Sequence, residues 1–211
     1  MKNSDTAMPI SVVHVVDDQP AMLRMVAELI ESISAKAVTY SSAKDFLASY
    51  RPRERECLVS DMRMPGMSGM EFFRVVREHG HTLPVIFITG YAEVGTAVDA
   101  MKQGAFDYIE KPFNHQAFLE KVQNALVQSE AIYKKGMQRR TAEARISLLT
   151  PTELKILRLV AKGKSSKEAG EALGISARTV DNHRGRIMEK LHVDSTVEMA
   201  LMFTDLQGDT H

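Results

Sequence analysis

The sequence predicts an α/β domain with a doubly wound, five-stranded parallel sheet, followed by a small all-α domain of four helices. In the first half of the chain, short apolar runs alternate with segments of helical periodicity, which is typical of parallel sheets with right-handed crossovers. From residue 148 onward, these runs give way to three successive helix-start patterns. A length of 211 residues accommodates two domains of modest size.

Five apolar runs are the predicted strands. They span residues 10–16, 37–40, 57–60, 84–88 and 106–109. The run at 10–16 is rich in valine, which is typical of a strand buried on both faces of a parallel sheet. The predicted helices begin at Pro20, after Ser41 and Ser42, at Gly69, near Glu93 and near Asn114.

The composition is that of a globular chain, and its charge is unevenly distributed. No apolar run is long enough to span a bilayer, and residues 1–9 lack a signal-peptide core. The single cysteine, Cys57, fits a reducing cytoplasm and an inert place in a buried strand. We therefore expect a cytoplasmic protein without a membrane partner. Residues 155–190 hold 9 Lys and Arg against 4 Asp and Glu, which points to nucleic acid as a partner of the second domain.

Polar residues follow the apolar runs where four of the predicted strands end. They are Asp17, Asp18, Asp61, Thr89 and Lys111. Because the carboxyl ends of parallel strands meet at one edge of a doubly wound sheet, these side chains are expected to converge. Three carboxylates repel one another unless one is protonated or they share a hard cation such as Mg²⁺, and a lysine with a hydroxyl suits a phosphoryl group. A lone aspartate there would instead be a solvated loop residue.

The second domain carries strong helix-start signals. Capping boxes are predicted at Thr150 to Glu153, Ser165 to Glu168 and Ser195 to Glu198, and Ser176 caps a helix over residues 177–191. A short helix, a turn at Gly174 and this longer helix form the pattern of a helix-turn-helix. The alternative for this domain is a helical bundle that binds protein.

The helix over 177–191 is predicted to present a polar face to DNA. Val180, Ile187 and Leu191 are expected to face inward, while Arg178, Asp181, Asn182, Gly185 and Glu189 face outward. Asparagine can bond adenine, and aspartate can accept from N4 of cytosine. The predicted phosphate contacts are Lys167, Arg178, Arg184, Arg186 and Lys190. His183 is expected to be packed, with its hydrogen bonds satisfied.

Residues 10–125 closely resemble a response-regulator receiver domain. The resemblance rests on Asp17-Asp18, on Asp61 with Met64-Pro65-Gly66 behind it, on Thr89-Gly90, and on Tyr108 ahead of Lys111-Pro112. It implies a flavodoxin-like fold in which Asp61 accepts a phosphoryl group from a sensor histidine kinase. It also implies Mg²⁺ (or Mn²⁺) held by Asp18, Asp61 and the backbone carbonyl of Arg63, with Asp17 acting largely through water.

The same resemblance implies a switch at this site. Lys111 would pair with the phosphoryl group, the Thr89 hydroxyl would move to bond it, and Tyr108 would follow inward. Taken singly, Thr89 could be a helix cap and Tyr108 a surface ring. The Lys111-Pro112 bond is a candidate cis peptide.

Residues 149–193 strongly resemble the LuxR/NarL-type DNA-binding domain. The resemblance rests on segments of the predicted helix-turn-helix: Leu149-Thr150-Pro151, Glu153, Lys167-Glu168, Leu173-Gly174-Ile175-Ser176, Thr179-Val180, His183-Arg184 and Ile187-Met188-Glu189-Lys190-Leu191. With this resemblance Thr179 joins the candidate DNA contacts. Ala169-Gly170 departs from the usual Ile-Ala, and glycine is expected to weaken its helix by up to about 1 kcal/mol relative to alanine while permitting close packing. Asp181 stands where a lysine is common, although FixJ-like members often carry an acid.

Together the two resemblances imply a transcription factor of the FixJ/NarL type, and the resemblance alone implies that it activates transcription. The predicted domains are residues 8–128 (receiver), 129–147 (a helical or flexible linker) and 148–211 (DNA-binding). The expected partners are a sensor histidine kinase, double-stranded promoter DNA, RNA polymerase and, on phosphorylation, a second copy of the chain. The only reactions expected are self-phosphorylation and autodephosphorylation at Asp61.

Two other functions remain open at this point. The receiver could serve as a scaffold in a DNA-binding regulator that works without phosphorylation. Alternatively, Asp61 could be the nucleophile of a phosphohydrolase. Phosphatases of the haloacid-dehalogenase type carry a second acid two residues after the nucleophile, where this chain has Arg63.

Overall fold

The computed structural model describes residues 10–90 and 94–208. The chain divides into two compact units, Met1–Lys134 and Lys135–His211. Each unit is built around a separate set of buried apolar residues. In the described part of the chain, none of the helices combines the length and the apolar character that crossing a bilayer requires.

The first unit contains a five-stranded parallel sheet. Its strands are β1 Val12–Val16, β2 Lys36–Tyr40, β3 Glu56–Asp61, β4 Val85–Thr89 and β5 Asp107–Glu110. They lie in the order β2-β1-β3-β4-β5, and every neighbouring pair is parallel. This is the strand order of flavodoxin-like, doubly wound sheets, so the predicted fold class is confirmed.

In the part of the first unit that the structure describes, five helices accompany the sheet. They are α1 Pro20–Glu31, α2 Ala43–Ser49, α3 Gly69–Glu78, α4 Val94–Lys102 and α5 His115–Ser147. Pro20 occupies the first turn of α1, and the Ser42 side chain accepts a hydrogen bond from the backbone N–H of Asp45 at the start of α2. Ser68 and Glu71 form a capping box on α3 that the sequence analysis did not identify. The predicted start of α4 at Glu93 lies outside the described residues.

The two faces of the sheet are covered by different helices. Val13 and Val15 of β1 point into a cluster with apolar residues of α1 and α5. Val16 belongs to a second cluster, which is completed by residues of α2, α3 and α4. Side chains alternate between the faces of a strand, so a strand buried on both faces needs apolar residues at consecutive positions. This requirement explains the near-continuous valine run of β1.

A polar cluster is buried among the residues of the second face. Glu56 accepts hydrogen bonds from the Tyr50 hydroxyl at 2.6 Å and from the backbone N–H of Arg53 at 2.9 Å, and its carboxylate lies 3.2 Å from Nε2 of His14. Burial and the bond to Glu56 raise the pKa of Tyr50. The backbone N–H of Glu56 donates to the Ser129 hydroxyl at 3.1 Å, which ties the start of β3 to α5. None of these contacts is visible in the apolar pattern of the sequence.

Cys57 lies in β3 with its side chain fully buried. Burial raises the pKa of the Cys57 thiol, so very little reactive thiolate forms at neutral pH. This environment agrees with the inert packing role predicted for it. The interval from 129 to 147, for which a helix and a flexible segment were both open, belongs to helix α5.

Up to residue 208, where the description ends, the second unit is all helical and contains the last residues of α5 with four further helices. These are α6 Pro151–Ala161, α7 Ser166–Leu173, α8 Ala177–Leu191 and α9 Thr196–Gly208. Their core includes Ile156, Val180, Ile187, Leu191 and Phe203. The four-helix all-α domain is therefore confirmed, including the inward face predicted for α8.

The predicted helix starts are present, but one of the predicted capping boxes is incomplete. Capping boxes begin α6 at Thr150 and α7 at Ser165, and Ser176 caps α8. The box predicted at Ser195 is only half formed. Ser195 accepts from the N–H of Glu198 at 3.1 Å, but the Glu198 carboxylate accepts from the N–H of Asp194, at 3.1 Å, rather than from that of Ser195.

Candidate functional site

The carboxyl edge of the sheet gathers the polar residues predicted at the strand ends. Asp61 is the last residue of β3 and Thr89 the last of β4, while Asp17 follows β1 and Lys111 follows β5. The backbone holds these ends together, since the N–H of Lys111 donates to the carbonyl of Thr89 at 2.8 Å and the N–H of Met62 to that of Ile88 at 3.0 Å. The parallel register therefore converts four separate sequence positions into one cluster.

Asp61 is buried, and both of its carboxylate oxygens accept hydrogen bonds. Lys111 Nζ lies 2.5 Å from Oδ1, and the backbone N–H of Arg63 donates to Oδ2 at 2.7 Å. The side chain of Asp61 is only 8% exposed, whereas that of Lys111 is 23% exposed. These two donors hold the side chain at the end of β3, and an aspartate carboxylate held in this way can serve as a nucleophile.

Asp17 lies beside this pair and is almost completely buried. Its Oδ1 accepts from the backbone N–H of Gln19 at 2.8 Å. Its Oδ2 is 3.5 Å from Lys111 Nζ, too far for a good hydrogen bond, and it has no hydrogen-bond partner among the described residues. Burial raises the pKa of Asp17, although the bond to Gln19 and the charge of Lys111 oppose this effect. Asp17 therefore has a buried carboxyl oxygen without a hydrogen-bond donor next to the candidate nucleophile.

This arrangement fits a small divalent cation. A buried carboxylate oxygen that lacks a donor is costly unless a cation offsets its charge, and Mg²⁺ commonly combines one or two carboxylates with carbonyl and water ligands. Asp18 is exposed next to Asp17, and Arg63 follows Asp61 closely enough to bond its carboxylate. Within residues 10–90 and 94–208, no group of three His, Cys, Asp or Glu side chains could hold a metal ion on its own. Backbone and water ligands would therefore complete the coordination.

The two predicted switch residues lie on the neighbouring strands β4 and β5, with Thr89 at the end of β4 and Tyr108 opposite Phe87. Thr89 is fully buried, and its hydroxyl donates to the carbonyl of Gly90 at 3.3 Å. Tyr108 is half-buried and packs against the cluster that includes Phe87. Their predicted movement remains a prediction. The Lys111-Pro112 peptide bond is cis, as the sequence analysis anticipated.

Gly69 contributes to the site in a way that the sequence analysis missed. A Cβ atom at this position would lie 2.6 Å from the carbonyl oxygen of Asp61 and 3.0 Å from Cα of Met62. The N–H of Gly69 donates to the carbonyl of Met62 at 2.9 Å. Only glycine lets the first turn of α3 approach the end of β3 this closely. The adjacent Ser68–Glu71 capping box was the available signal that the helix start is fixed at this point.

In the second unit, the polar face of α8 is exposed much as predicted. Arg178, Asp181, Asn182 and Glu189 are exposed, whereas Gly185 is half-buried. Lys167 on α7 and Arg186 on α8 are also exposed. Thr179 is half-buried, and its hydroxyl lies 2.8 Å from that of Ser176, the residue that caps the helix. The contacts of all these residues with DNA remain predictions.

Three residues of α8 have surroundings that differ from those expected for them. Arg184 uses both terminal nitrogens inside the unit, donating to Ser166 Oγ at 2.7 Å and to Thr196 Oγ1 at 2.8 Å. Lys190 pairs with the buried Glu153 at 2.7 Å. His183 was expected to have its hydrogen bonds satisfied, but its Nδ1 is buried without a partner in the described structure, so that expectation was wrong.

Gly170 permits the sharp turn between α7 and α8. A Cβ atom there would lie 2.6 Å from the carbonyl oxygen of Ile175 and 3.3 Å from the backbone nitrogen of Ala177. The close packing expected of this glycine is therefore present. The helix preference expected to favour alanine here is opposed by the collision of an alanine Cβ with the backbone of the turn.

Comparisons with known proteins match both units. Residues 13–123 match the family model described as the response regulator receiver domain, and residues 147–203 match that of bacterial regulatory proteins of the luxR family. The chain is 37% identical over 201 residues to the transcriptional regulatory protein TdiR of Thauera aromatica, covering 95% of this chain and 88% of TdiR. It is 37% identical over 190 residues to FixJ of Azorhizobium caulinodans, covering 90% of each chain.

Solved structures agree with these sequence matches. The response regulator StyR superposes with a TM-score of 0.80 at 33% identity, covering 93% of this chain and 99% of StyR. FixJ-N superposes with a TM-score of 0.51 at 36% identity, covering 56% of this chain and 94% of FixJ-N. On the strength of both family matches and of relatives similar over nearly their whole length, the chain belongs to the response regulators that join a receiver domain to a LuxR-type DNA-binding domain and regulate transcription.

Proposed function

We propose that this regulator is switched on by phosphorylation of Asp61 by a sensor histidine kinase. The observation that carries the proposal is the contact of Lys111 Nζ with Asp61 Oδ1, at 2.5 Å, beside the unsatisfied Oδ2 of Asp17. Phosphoryl transfer uses a nucleophile, here the Asp61 carboxylate, and a positively charged side chain, here Lys111. It also uses a carboxyl oxygen that can interact with a metal cation, here that of Asp17. The proposed domains are a receiver at 8–128, a linker at 129–147 and a DNA-binding domain at 148–211.

In the proposed transfer, a carboxylate oxygen of Asp61 forms a bond to phosphorus while the bond from phosphorus to the kinase histidine nitrogen breaks. The residues proposed to hold Mg²⁺ (or Mn²⁺) are Asp18, Asp61 and the carbonyl of Arg63, with Asp17 acting through water. When bound, the cation neutralises charge on the phosphoryl oxygens. Lys111 then moves its bond from Asp61 to a phosphoryl oxygen.

The phosphorylated state is proposed to reorganise Thr89 and Tyr108. A phosphoryl group adds nearly two negative charges and three acceptor oxygens, which the buried Thr89 hydroxyl can reach by giving up its bond to Gly90. The half-buried Tyr108 ring then fills the space behind it. Two or three charge-assisted hydrogen bonds provide the few kcal/mol needed to shift a two-state equilibrium.

The proposed output is a dimer on promoter DNA. The face formed by α4, β5 and α5 would pair two receivers and set two copies of α8 on half-sites about one helical turn apart. The exposed Lys167, Arg178 and Arg186 would contact phosphates, and the exposed Asn182 and Asp181 would contact bases. Activation, through RNA polymerase recruited to the promoter, is the sign of regulation we propose.

The experiment treats the full chain with acetyl phosphate and Mg²⁺ and measures oligomeric state by light scattering and DNA affinity by gel shift. We expect a shift to dimer and tighter promoter binding, both of which are absent in Asp61→Asn. Asp45→Asn is the matched control, because Asp45 is exposed on α2 and lies outside the site. If acetyl phosphate changes neither quantity, or if Asp61→Asn responds like the wild type, the receiver works without phosphorylation.

A further inference from the structure

A hydrogen-bonded chain of side chains connects α8, the proposed recognition helix, to both helices that flank it. Ser166, the first residue of α7, donates from its hydroxyl to Oδ1 of Asp181 on α8 at 2.5 Å. Arg184, one turn further along α8, donates from Nη1 to the same hydroxyl at 2.7 Å. Its Nη2 donates to the hydroxyl of Thr196, the first residue of α9, at 2.8 Å. One guanidinium thus joins the starts of α7 and α9 to α8.

The direction of each bond in this chain is fixed by chemistry. A guanidinium only donates, and an ionised carboxylate only accepts. The Ser166 hydroxyl must therefore accept from Arg184 and donate to Asp181. A hydroxyl polarised by a cation is a stronger donor, so the bond to Asp181 depends on the Arg184 guanidinium.

This arrangement affects Asp181 in two ways. It restricts the carboxylate of an exposed side chain to one orientation, with Oδ1 occupied and Oδ2 without a partner among the described residues. It also brings the positive charge of Arg184 near a carboxylate that would otherwise be repelled by DNA phosphates. An acidic side chain that binds a DNA base loses rotational freedom and is repelled by the phosphates, and both effects weaken its binding.

We propose that Ser166 and Arg184 are positioning residues that orient the Asp181 carboxylate to select a cytosine in each half-site. This inference rests on the proposed DNA-binding function and makes base preference depend on Ser166, a residue outside the recognition helix. It also assigns Arg184 a different role from the phosphate contact suggested by its sequence. Thr196 supports the same guanidinium from the side of α9.

The test is selection of randomised duplex DNA by the full chain treated with acetyl phosphate and Mg²⁺, followed by sequencing of the bound fraction. The wild type is expected to enrich cytosine at one position of each half-site by about tenfold, and Asp181→Ala to remove that enrichment. Ser166→Ala should reduce it to roughly threefold or less without changing which other positions are selected. Ser166→Thr, which keeps the hydroxyl, should restore it.

Arg184→Lys separates positioning from phosphate contact. Lysine keeps the charge but loses the planar fork that reaches two hydroxyls at once. A positioning role predicts that Arg184→Lys loses the cytosine enrichment and that Arg184→Ala leaves the salt dependence of binding unchanged. A phosphate contact predicts instead an unaltered base preference in Arg184→Lys and a salt slope lower by about one in Arg184→Ala.

Thr204→Ala is the matched control, because among the described residues the Thr204 hydroxyl bonds only to carbonyls of its own helix. It should retain the wild-type enrichment. The inference is overturned if Asp181→Ala changes base preference while Ser166→Ala and Arg184→Lys do not. If the wild type enriches no sequence at all, the proposed DNA-binding function fails and the inference fails with it. Melting curves of each variant identify any loss of enrichment that is caused by unfolding.

Discussion

Replacing Gly170 with alanine tests whether the turn of the helix-turn-helix depends on close backbone contact. Alanine is favoured over glycine inside a helix by about 1 kcal/mol. The added Cβ, however, would lie 2.6 Å from the carbonyl oxygen of Ile175, 3.3 Å from the nitrogen of Ala177 and 3.4 Å from the carbonyl carbon of Ser176. All three are backbone atoms, so no side-chain rotation can relieve the overlap.

The expected magnitude follows from these two opposing effects. Overpacking a well-packed site costs about 1–3 kcal/mol, and the shortest contact is roughly 1 Å inside normal contact distance, which places the cost near the upper end. After subtraction of the helix preference, Gly170→Ala should destabilise the second unit by about 1–2 kcal/mol. For a unit of this size, the loss corresponds to a fall of roughly 5–15 °C in its melting transition.

The assay is differential scanning calorimetry of the full chain, with amide hydrogen exchange in α7 and α8 used to assign the transition. Gly136→Ala is the matched control, because Gly136 is also helical and a Cβ atom there would meet nothing within 4 Å. That substitution should raise stability by up to about 1 kcal/mol. If Gly170→Ala also raises the transition temperature, the collision with Ile175 does not constrain the turn and the reasoning is refuted.

Three further predictions follow from the site and the core. Gly69→Ala should slow phosphorylation of Asp61 by acetyl phosphate by roughly tenfold to hundredfold, because the new Cβ meets the Asp61 carbonyl oxygen at 2.6 Å; an unchanged rate relative to Gly136→Ala would contradict this. Glu56→Ala should cost the first unit about 3–5 kcal/mol in urea unfolding, since Tyr50 and His14 lose a buried acceptor, whereas Glu130→Ala, in a more exposed pair, should cost clearly less. A smaller loss for Glu56→Ala than for Glu130→Ala would refute that assignment. Burial alone would raise the pKa of Glu153, but hydrogen bonds from Lys190 and Thr150 lower this pKa from 4.5 to about 2. The ionised Glu153 carboxylate therefore stabilises the second unit above about pH 4.5, and this stabilisation is lost as the pH falls towards 2. The difference in unfolding free energy between wild type and Lys190→Met should therefore shrink over that range, and a difference independent of pH would exclude the pairing as its source.

Local chemistry made the helices of the second unit predictable. The start of α6 is defined within four residues. Thr150 and Glu153 each accept a hydrogen bond from the other's backbone N–H, and Pro151 occupies the first turn, as the sequence predicted. Ser195 shows where such reasoning fails. Its box depends on which backbone N–H the Glu198 carboxylate faces, and the loop presents that of Asp194 instead. The path of a loop is set by the packing of the helices on either side, which short-range patterns do not describe.

In the candidate functional sites too, some contacts were predictable from the sequence and others were not. Asp61, Thr89 and Lys111 were predicted to converge because parallel strands end at one edge, and they do. The partners of Arg184 and Lys190 were not predicted, because Ser166, Thr196 and Glu153 lie 12 to 37 residues away along the chain. A helical projection shows which side chains leave the helix on one face, but not which neighbouring helix meets them.

The amino-acid sequence by itself determined the fold class, the order of the elements and the position of each polar residue at a strand end. These properties follow from the periodicity of apolar residues and from local capping, which act over a few residues. Tertiary structure alone decided the contact between Lys111 and Asp61, the unsatisfied oxygen of Asp17 and the collision that makes Gly170 necessary. The first two depend on side chains from distant segments and the third on the path of the turn after α7, and only the packed chain sets such distances to within about one bond length.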